Sequence, residues 1–117
     1  MKQNKTDRFI LDYCKSRGFH LFIDPELGIN DGFSYPSSKE IHLAKKYTSQ
    51  KIKLAVFIHE IGHCVVEGSK LHPYNIFECE MAAWTEGMKL YRKYFGKSFS
   101  KTQAEFMLKC LKSYCRS

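Results

Sequence analysis

Two histidines and a glutamate interrupt an almost wholly apolar stretch at residues 53–66, in the order His59, Glu60 and, three residues later, His63. On a helix, residues four apart lie one above the other, so His59 and His63 would present their imidazoles on one face. Two neutral imidazoles at this spacing can bind one zinc ion, while Glu60 lies about 100° round the helix from His59. The motif therefore predicts a zinc site in which Glu60 could reach a metal-bound water as a general base.

The residues around the motif predict a helix that is buried nearly all round. Eight apolar side chains share this stretch: Leu54, Ala55, Val56, Phe57, Ile58, Ile61, Val65 and Val66. Histidines and a glutamate inside such a helix would be costly to bury without partners, and a metal ion would supply one. From this composition, the expected number of random occurrences of the motif is on the order of 0.01. Core histidines that bind backbone carbonyls are the alternative, but spacing, helical context and burial together favour zinc.

A catalytic zinc ion usually has three protein ligands and an open fourth position. Four downstream residues have suitable side chains: His72, Glu78, Glu80 and Glu86. Glu80 is favoured because it lies in the first turn and a half of a helix that begins at Asn75. The small side chains at 82–83 would also let this helix approach the motif helix closely. Glu78 has the spacing of a capping box with Asn75, and His72 lies on a short loop, so both remain alternatives as ligands.

Hydrolysis of a peptide bond also needs a hydrogen-bond donor for the oxyanion that forms. Three residues are candidates by chemical type alone: His72, Tyr74 and Tyr47. Upstream of the motif, residues 19–23, 33–35 and 40–43 are short runs rich in aromatic and β-branched side chains, which predict three strands. An edge strand of such a sheet can pair with an extended peptide substrate, and a purely structural sheet is the alternative.

Four helices are predicted around this sheet. The first covers residues 6–17 and ends at Gly18, and the motif helix runs from a cap at Thr48 or Ser49 to Gly68. The third and fourth helices carry apolar stripes, formed by Phe77, Met81, Trp84, Met88, Tyr91 and Phe95, and by Ala104, Met107, Leu108, Leu111 and Tyr114. These elements predict an α+β domain with a short antiparallel or mixed three-stranded sheet packed on the motif helix, a ligand-bearing second helix and a C-terminal helix.

With 117 residues and a hydrophobic fraction of 44%, the chain is expected to form one folded domain, 1–117. No apolar run approaches the roughly 20 residues that span a bilayer, and the N-terminus leads into a charged amphipathic segment rather than a signal peptide. The five cysteines have irregular spacing without a Cys-x-x-Cys pair, which is typical of free thiols in a reducing compartment. We therefore expect a cytoplasmic protein without a membrane partner.

The net charge of +7 is concentrated in the last quarter of the chain. Residues 1–88 hold 11 basic and 11 acidic side chains, whereas residues 89–117 hold eight basic side chains and only Glu105. This basic segment could bind an acidic protein or a nucleic acid, although a solvated helix face is more common and is favoured. The second hypothesis is therefore a catalytically silent, zinc-containing binding module whose basic segment contacts such a partner.

The run His59-Glu60-Ile61-Gly62-His63, followed by Glu80-Met81-Ala82-Ala83-Trp84, resembles the ImmA/IrrE-like metallopeptidases of phages, prophages and mobile elements. The resemblance covers about residues 30–95, and this chain has a shorter gap to the glutamate than the family. It implies a small zincin-like domain of the gluzincin type, with one Zn²⁺ per chain bound by two histidines and a glutamate. It also implies hydrolysis of a protein or peptide substrate, such as a regulatory protein.

Overall fold

The computed structural model describes residues 4–68 and 76–114. Within these ranges the chain forms four α-helices and a mixed three-stranded sheet, so the predicted α+β class is confirmed. In chain order the elements are α1 (Lys5–Arg17), β1 (His20–Asp24), β2 (Gly32–Tyr35), a 3₁₀ turn (Pro36–Ser38), β3 (Glu40–Ala44), α2 (Gln50–Gly68), α3 (Ile76–Phe95) and α4 (Lys101–Lys112). No helix in the described ranges is long and apolar enough to cross a membrane.

Local sequence signals fix most of the helix ends. Asn4 caps α1 with its side chain, and Gly18 ends α1 in the left-handed conformation at a φ of 72°. Of the two predicted caps of α2, Ser49 accepts a hydrogen bond from a backbone N–H of the first turn through its Oγ. The capping box that begins at Ser100 is present at the start of α4, as predicted. The predicted cap of α3 at Asn75 lies outside the described residues.

The sheet has the order β1-β3-β2, with β3 parallel to β1 and antiparallel to β2. On its inner face, Ile41 and Leu43 of β3 are fully buried in the core cluster that α2 also enters. The edge strand β2 crosses close to α2, because a Cβ on Gly32 would lie 2.6 Å from Cγ1 of Val56. The predicted strands at 33–35 and 40–43 therefore pair with each other, and the pairing brings β2 alongside the motif helix.

α2 and α3 approach each other so closely that glycine is required at two points of contact. A Cβ on Gly62 of α2 would lie 1.9 Å from the backbone O of Ala83. One turn further along, a Cβ on Gly87 of α3 would lie 2.9 Å from the backbone O of Ile58. The two helices therefore meet through backbone atoms, and the close approach that the small residues of α3 predict is present at Ala83.

Gly62→Ala is expected to lower the free energy of unfolding by about 3 kcal/mol or more. The new methyl group fits only if α2 and α3 move apart, since its nearest neighbour is backbone rather than a flexible side chain. Urea unfolding measures the change. The matched control is Gly28→Ala, because a Cβ at Gly28 meets nothing within 4 Å. Equal unfolding midpoints for the two variants would show that the helices do not meet at Gly62.

The apolar stripe of α4 predicts its buried face only in part. Leu111 is buried, as the stripe predicts, whereas Leu108 and Tyr114 are 52% and 44% exposed. The other buried residue of α4 is Gln103, which the stripe does not include. Gln103 is fully buried because its side-chain amide donates to the backbone O of Lys51 at 3.0 Å, at the start of α2. This polar anchor, which apolar periodicity cannot reveal, sets the rotation of the helix.

Candidate metal centre

The three motif residues converge at the base of a cleft. One donor atom from each of His59, Glu60 and His63 lies within 4.8 Å of the others, so this group could hold a metal ion. The two imidazole rings have centroids 4.6 Å apart and are partly buried, and Glu60 is only 5% exposed. α2 therefore presents both imidazoles on one face, as the spacing of four residues requires.

α3 adds a second carboxylate, that of Glu80, opposite the two imidazoles. Its Oε1 lies 3.0 Å from Nε2 of His59, and its Oε2 lies 2.8 Å from Nε2 of His63. One carboxylate thus bridges two ring nitrogens. The backbone contact between Gly62 and Ala83 holds Glu80 at this position, because Glu80 lies three residues before Ala83 on the same helix.

Two carboxylates could complete a ligand set, and their contacts differ. Oε2 of Glu60 lies 3.2 Å from the opposite ring nitrogen of His59, Nδ1, and its Oε1 accepts a hydrogen bond from Oγ of Ser34 at 2.8 Å. Proximity of donor atoms alone groups Glu60 with the histidines. The contacts favour Glu80 as the third ligand, because it faces Nε2 of both histidines, and leave Glu60 beside the site. The alternative Glu78 is exposed on α3.

The surroundings of His59 fit a metal ion. Its Nε2 is buried and has no hydrogen-bond partner among the described residues. Oε1 of Glu80 is 3.0 Å away and pairs with this nitrogen by charge. A metal ion between the two atoms would satisfy both of them. Two imidazole nitrogens and a carboxylate oxygen also form a ligand set that zinc prefers.

The two carboxylates keep His59 charged when no metal is bound. Burial lowers the pKa of its imidazole, but pairing with Glu60 and Glu80 outweighs burial and raises the pKa to about 9. Burial likewise raises the pKa of Glu80, yet pairing with the two imidazoles outweighs it and lowers the pKa to about 2. At neutral pH the metal-free site is therefore an ion pair, and a metal ion must displace the proton of His59 in order to bind.

The metal-free protein is expected to be most stable between pH 4.5 and 6.5. On folding, the pKa of Glu80 falls from 4.5 to about 2, so its stabilisation is present above pH 4.5 and is lost as the pH falls through 2. The pKa of His59 rises from 6.5 to about 9, so its stabilisation is present below pH 6.5 and is lost as the pH rises through 9. Each change should lower the free energy of unfolding by up to about 3 kcal/mol.

Urea unfolding across this pH range, in the presence of a chelator, measures both losses. Glu80→Gln is the informative variant, because it removes the group that titrates at low pH and one of the two partners of His59. It should flatten the acid side of the profile and reduce the alkaline loss. An acid side that Glu80→Gln leaves unchanged would show that Glu80 does not pair with the imidazoles.

Trp84 holds the ring of His59 in place. The two rings stack with centroids 4.2 Å apart and an angle of 12° between their planes, and Trp84 is 1% exposed. Trp84 also packs with Ala55 and Leu111, which ties α2, α3 and α4 together. The apolar stripe of the third helix predicts only that Trp84 is buried. Its position four residues after Glu80, on the same face of α3, was the signal that it contacts the site.

A cleft of about 340 Å³ lies over the site. β2 and the residues just before it line one side, and three residues at a spacing of four, from α4 and the turn that follows it, line another: Phe106, Cys110 and Tyr114. Burial, and after it the charge of Glu80, raises the pKa of Tyr114, so its hydroxyl stays a neutral hydrogen-bond donor. This wall is not evident from the sequence, because the apolar stripe predicts a buried Tyr114. The spacing of four residues is the signal that points to it.

Of the three predicted oxyanion donors, only Tyr47 belongs to the described residues. Its hydroxyl accepts a hydrogen bond from the N–H of Ala44 at 2.9 Å and donates one to the backbone O of Asp31 at 2.5 Å. Tyr47 thus braces the segment before β2 against the end of β3, and it does not line the cleft. His72 and Tyr74 lie outside the described residues, so their roles stay predictions.

The chain was compared with family models, with curated proteins and with solved structures, and nothing matched in any of the three comparisons. The resemblance that rests on the motif residues therefore stays a prediction.

Proposed function

We propose that this protein is a zinc-dependent peptidase. The observation that carries the proposal is the shared contact of one Glu80 carboxylate with Nε2 of both His59 and His63, at 3.0 and 2.8 Å. Beside it, Glu60 is buried without itself facing these two nitrogen atoms. Two histidines and a glutamate as ligands, with a further glutamate next to them, are the parts that metal-assisted hydrolysis needs.

In this proposal His59, His63 and Glu80 would bind one zinc ion. Zinc would supply a Lewis acid that polarises the substrate carbonyl and lowers the pKa of a bound water. Glu60 is the general base: its carboxylate accepts a proton from the attacking water and returns it to the departing amine. Burial of Glu60 favours this role, because a base that is shielded from bulk water is held in one position.

The substrate in this proposal is an extended peptide that pairs with the edge strand β2. The N–H of Ala44 donates to the backbone O of Asp31 at 3.3 Å, so these two residues form a hydrogen-bonded pair. Hydrogen-bonded pairs recur at every second residue of an antiparallel ladder, so the backbone groups of Phe33 and Tyr35 also point towards β3. The N–H and C=O groups of Ser34 face away from β3, along the free edge. A peptide added there would run through the cleft and past the motif.

The proposal includes membership of a zincin-like, ImmA/IrrE-like group of metallopeptidases. The order of elements supports it, since a mixed sheet precedes the motif helix and a ligand-bearing helix follows. That the substrate is a regulatory protein follows from the resemblance alone. The shape of the cleft does not select one peptide sequence.

The test of the proposal is metal content followed by cleavage. Protein purified without added metal should contain about one zinc ion per chain, measured by mass spectrometry of the metal. The zinc-loaded protein is then incubated with a pool of unfolded proteins, and new peptide N-termini are identified. Cleavage sites that appear with wild type and are absent with Glu60→Gln would support the proposal. Absence of zinc binding, even after incubation with zinc, would exclude it.

The second hypothesis, a binding module, rests on the basic segment. Seven basic side chains of this segment are exposed in the described residues: Lys89, Arg92, Lys93, Lys97, Lys101, Lys109 and Lys112. A solvated helix face would have the same exposure, so binding to an acidic partner stays a prediction. Binding to duplex DNA that weakens steeply with added salt would favour this hypothesis, and binding that does not change with salt would exclude phosphate contacts.

A further inference from the structure

We infer that Ser34 is a positioning residue that orients the carboxylate of Glu60 for proton transfer. Oγ of Ser34 donates to Oε1 of Glu60 at 2.8 Å, across 26 positions in the sequence and from β2 to α2. Because it assigns a partner to the proposed general base, this inference rests on the proposed function. Ser34 lies outside the motif on another element, so this partner of Glu60 becomes visible only once β2 lies beside α2.

The hydrogen bond decides how Glu60 is held. Glu60 is 5% exposed, and a buried carboxylate is costly unless hydrogen bonds or charges satisfy its oxygens. Ser34 satisfies Oε1, and Oε2 lies 3.2 Å from Nδ1 of His59. With one oxygen fixed by this donor, the carboxylate cannot rotate freely about its last torsion. Without Ser34, only the contact with His59 would orient it.

The local sequence of β2 makes room for this contact. Gly32 and Ser34 are two residues apart, so both face the side of β2 that lies against α2. A Cβ on Gly32 would lie 3.4 Å from Cγ of Glu60. Larger side chains at these two positions would push β2 away from α2. The backbone of Ser34 faces the free edge of the sheet, so the residue that would pair with the substrate also holds the base. Substitution of the hydroxyl should therefore leave substrate binding intact.

The test uses a small zinc-binding probe, because it does not depend on knowing the substrate. Benzohydroxamic acid binds zinc as its anion and transfers its proton to a neighbouring base, so its affinity reports on the placement of Glu60. Its dissociation constant is measured by calorimetry on zinc-loaded wild type, Ser34→Ala, Ser34→Thr and Glu60→Gln. Ser38→Ala is the matched control, since Ser38 does not line the cleft and its hydroxyl binds the backbone O of Tyr35, at 3.4 Å, and the carboxylate of Glu40.

We expect Ser34→Ala to weaken binding of the probe about tenfold at unchanged zinc content, since it removes one charge-assisted hydrogen bond. Ser34→Thr restores the hydroxyl and should restore affinity to within about threefold of wild type, and Ser38→Ala should have no effect. For any peptide that the wild type cleaves, Ser34→Ala should lower kcat by a similar factor and leave KM unchanged. If Ser34 had only a structural role, Ser34→Ala would not lower kcat at unchanged KM, and it would not change the affinity for the probe.

The other outcomes separate this inference from the proposed function. If Glu60→Gln weakens probe binding and Ser34→Ala does not, the inference is wrong and the proposed function stands. If zinc-loaded wild type does not bind the probe, or binds it as tightly as Glu60→Gln does, both are wrong. Should Ser34→Ala fail to fold, Ser34→Cys takes its place, because it keeps the shape and weakens the donor; wild-type affinity in that variant would overturn the inference.

Discussion

Glu80→Gln is expected to weaken zinc binding by about 100-fold or more, and purified Glu80→Gln protein should contain little zinc. The substitution keeps the size of the side chain and removes the charge that faces Nε2 of both histidines at 3.0 and 2.8 Å. A neutral amide oxygen is a poor zinc ligand, and it would leave the charge of the metal uncompensated in a partly buried site. Competition with a chromogenic chelator measures the dissociation constant of zinc.

Glu78→Gln is the matched control, because Glu78 lies on the same helix two residues away and is exposed. Its zinc affinity should equal that of wild type. The opposite pattern, in which Glu80→Gln keeps zinc and Glu60→Gln loses it, would assign the ligand set to His59, Glu60 and His63. The proximity of the donor atoms of these three residues permits that set, so the two variants together decide between the carboxylates.

The parts of the site that could be predicted are those fixed by the geometry of one helix. A spacing of four residues places His59 and His63 together whatever the rest of the chain does. The prediction of Glu80 depends on a second helix, and the structure brings that helix close to α2 at Ala83. Ala83 contacts Gly62, which lies inside the motif. The motif alone does not indicate that this glycine is a contact point between two helices.

The parts that could not be predicted depend on contacts between distant elements. Nothing in the local sequence of β2 indicates that Ser34 binds Glu60, because this contact requires the register of β2 on β3 and the fit of Gly32 on α2. The rotation of α4 likewise follows from one buried amide, that of Gln103, whose polarity predicts an exposed position. Periodicity describes apolar faces only, so it predicts the buried Leu111 and misses the buried Gln103.

The same limit applies to α3. Its stripe predicts a buried Met81, yet this side chain is 42% exposed, and the buried residues are Ala83, Trp84, Gly87 and Tyr91. Trp84 and Tyr91 belong to the stripe and are buried as predicted, whereas Ala83 and Gly87 are buried because the backbone contact with α2 requires small residues there. Small residues carry little weight in an apolar pattern, although here they determine which face is buried.

Glu60→Gln is expected to lower peptide hydrolysis by about 10³-fold or more, to the level that zinc and substrate binding alone support. An amide has nearly the same shape as the carboxylate, and its oxygen can still accept the hydrogen bond from Ser34. It cannot accept a proton from water at neutral pH. The variant should therefore fold like wild type and lose only the transfer of the proton.

Zinc binding by Glu60→Gln should equal or exceed that of wild type at pH 7, and this expectation separates a base from a ligand. Burial lowers the pKa of His59, and pairing with Glu60 is the next largest influence and raises it. Removal of that charge lowers the pKa, so less work is needed to displace the proton when zinc binds. Glu67→Gln, an exposed carboxylate on α2, is the control for both measurements. Full activity of zinc-loaded Glu60→Gln would show that another group is the base, and loss of zinc would make Glu60 a ligand.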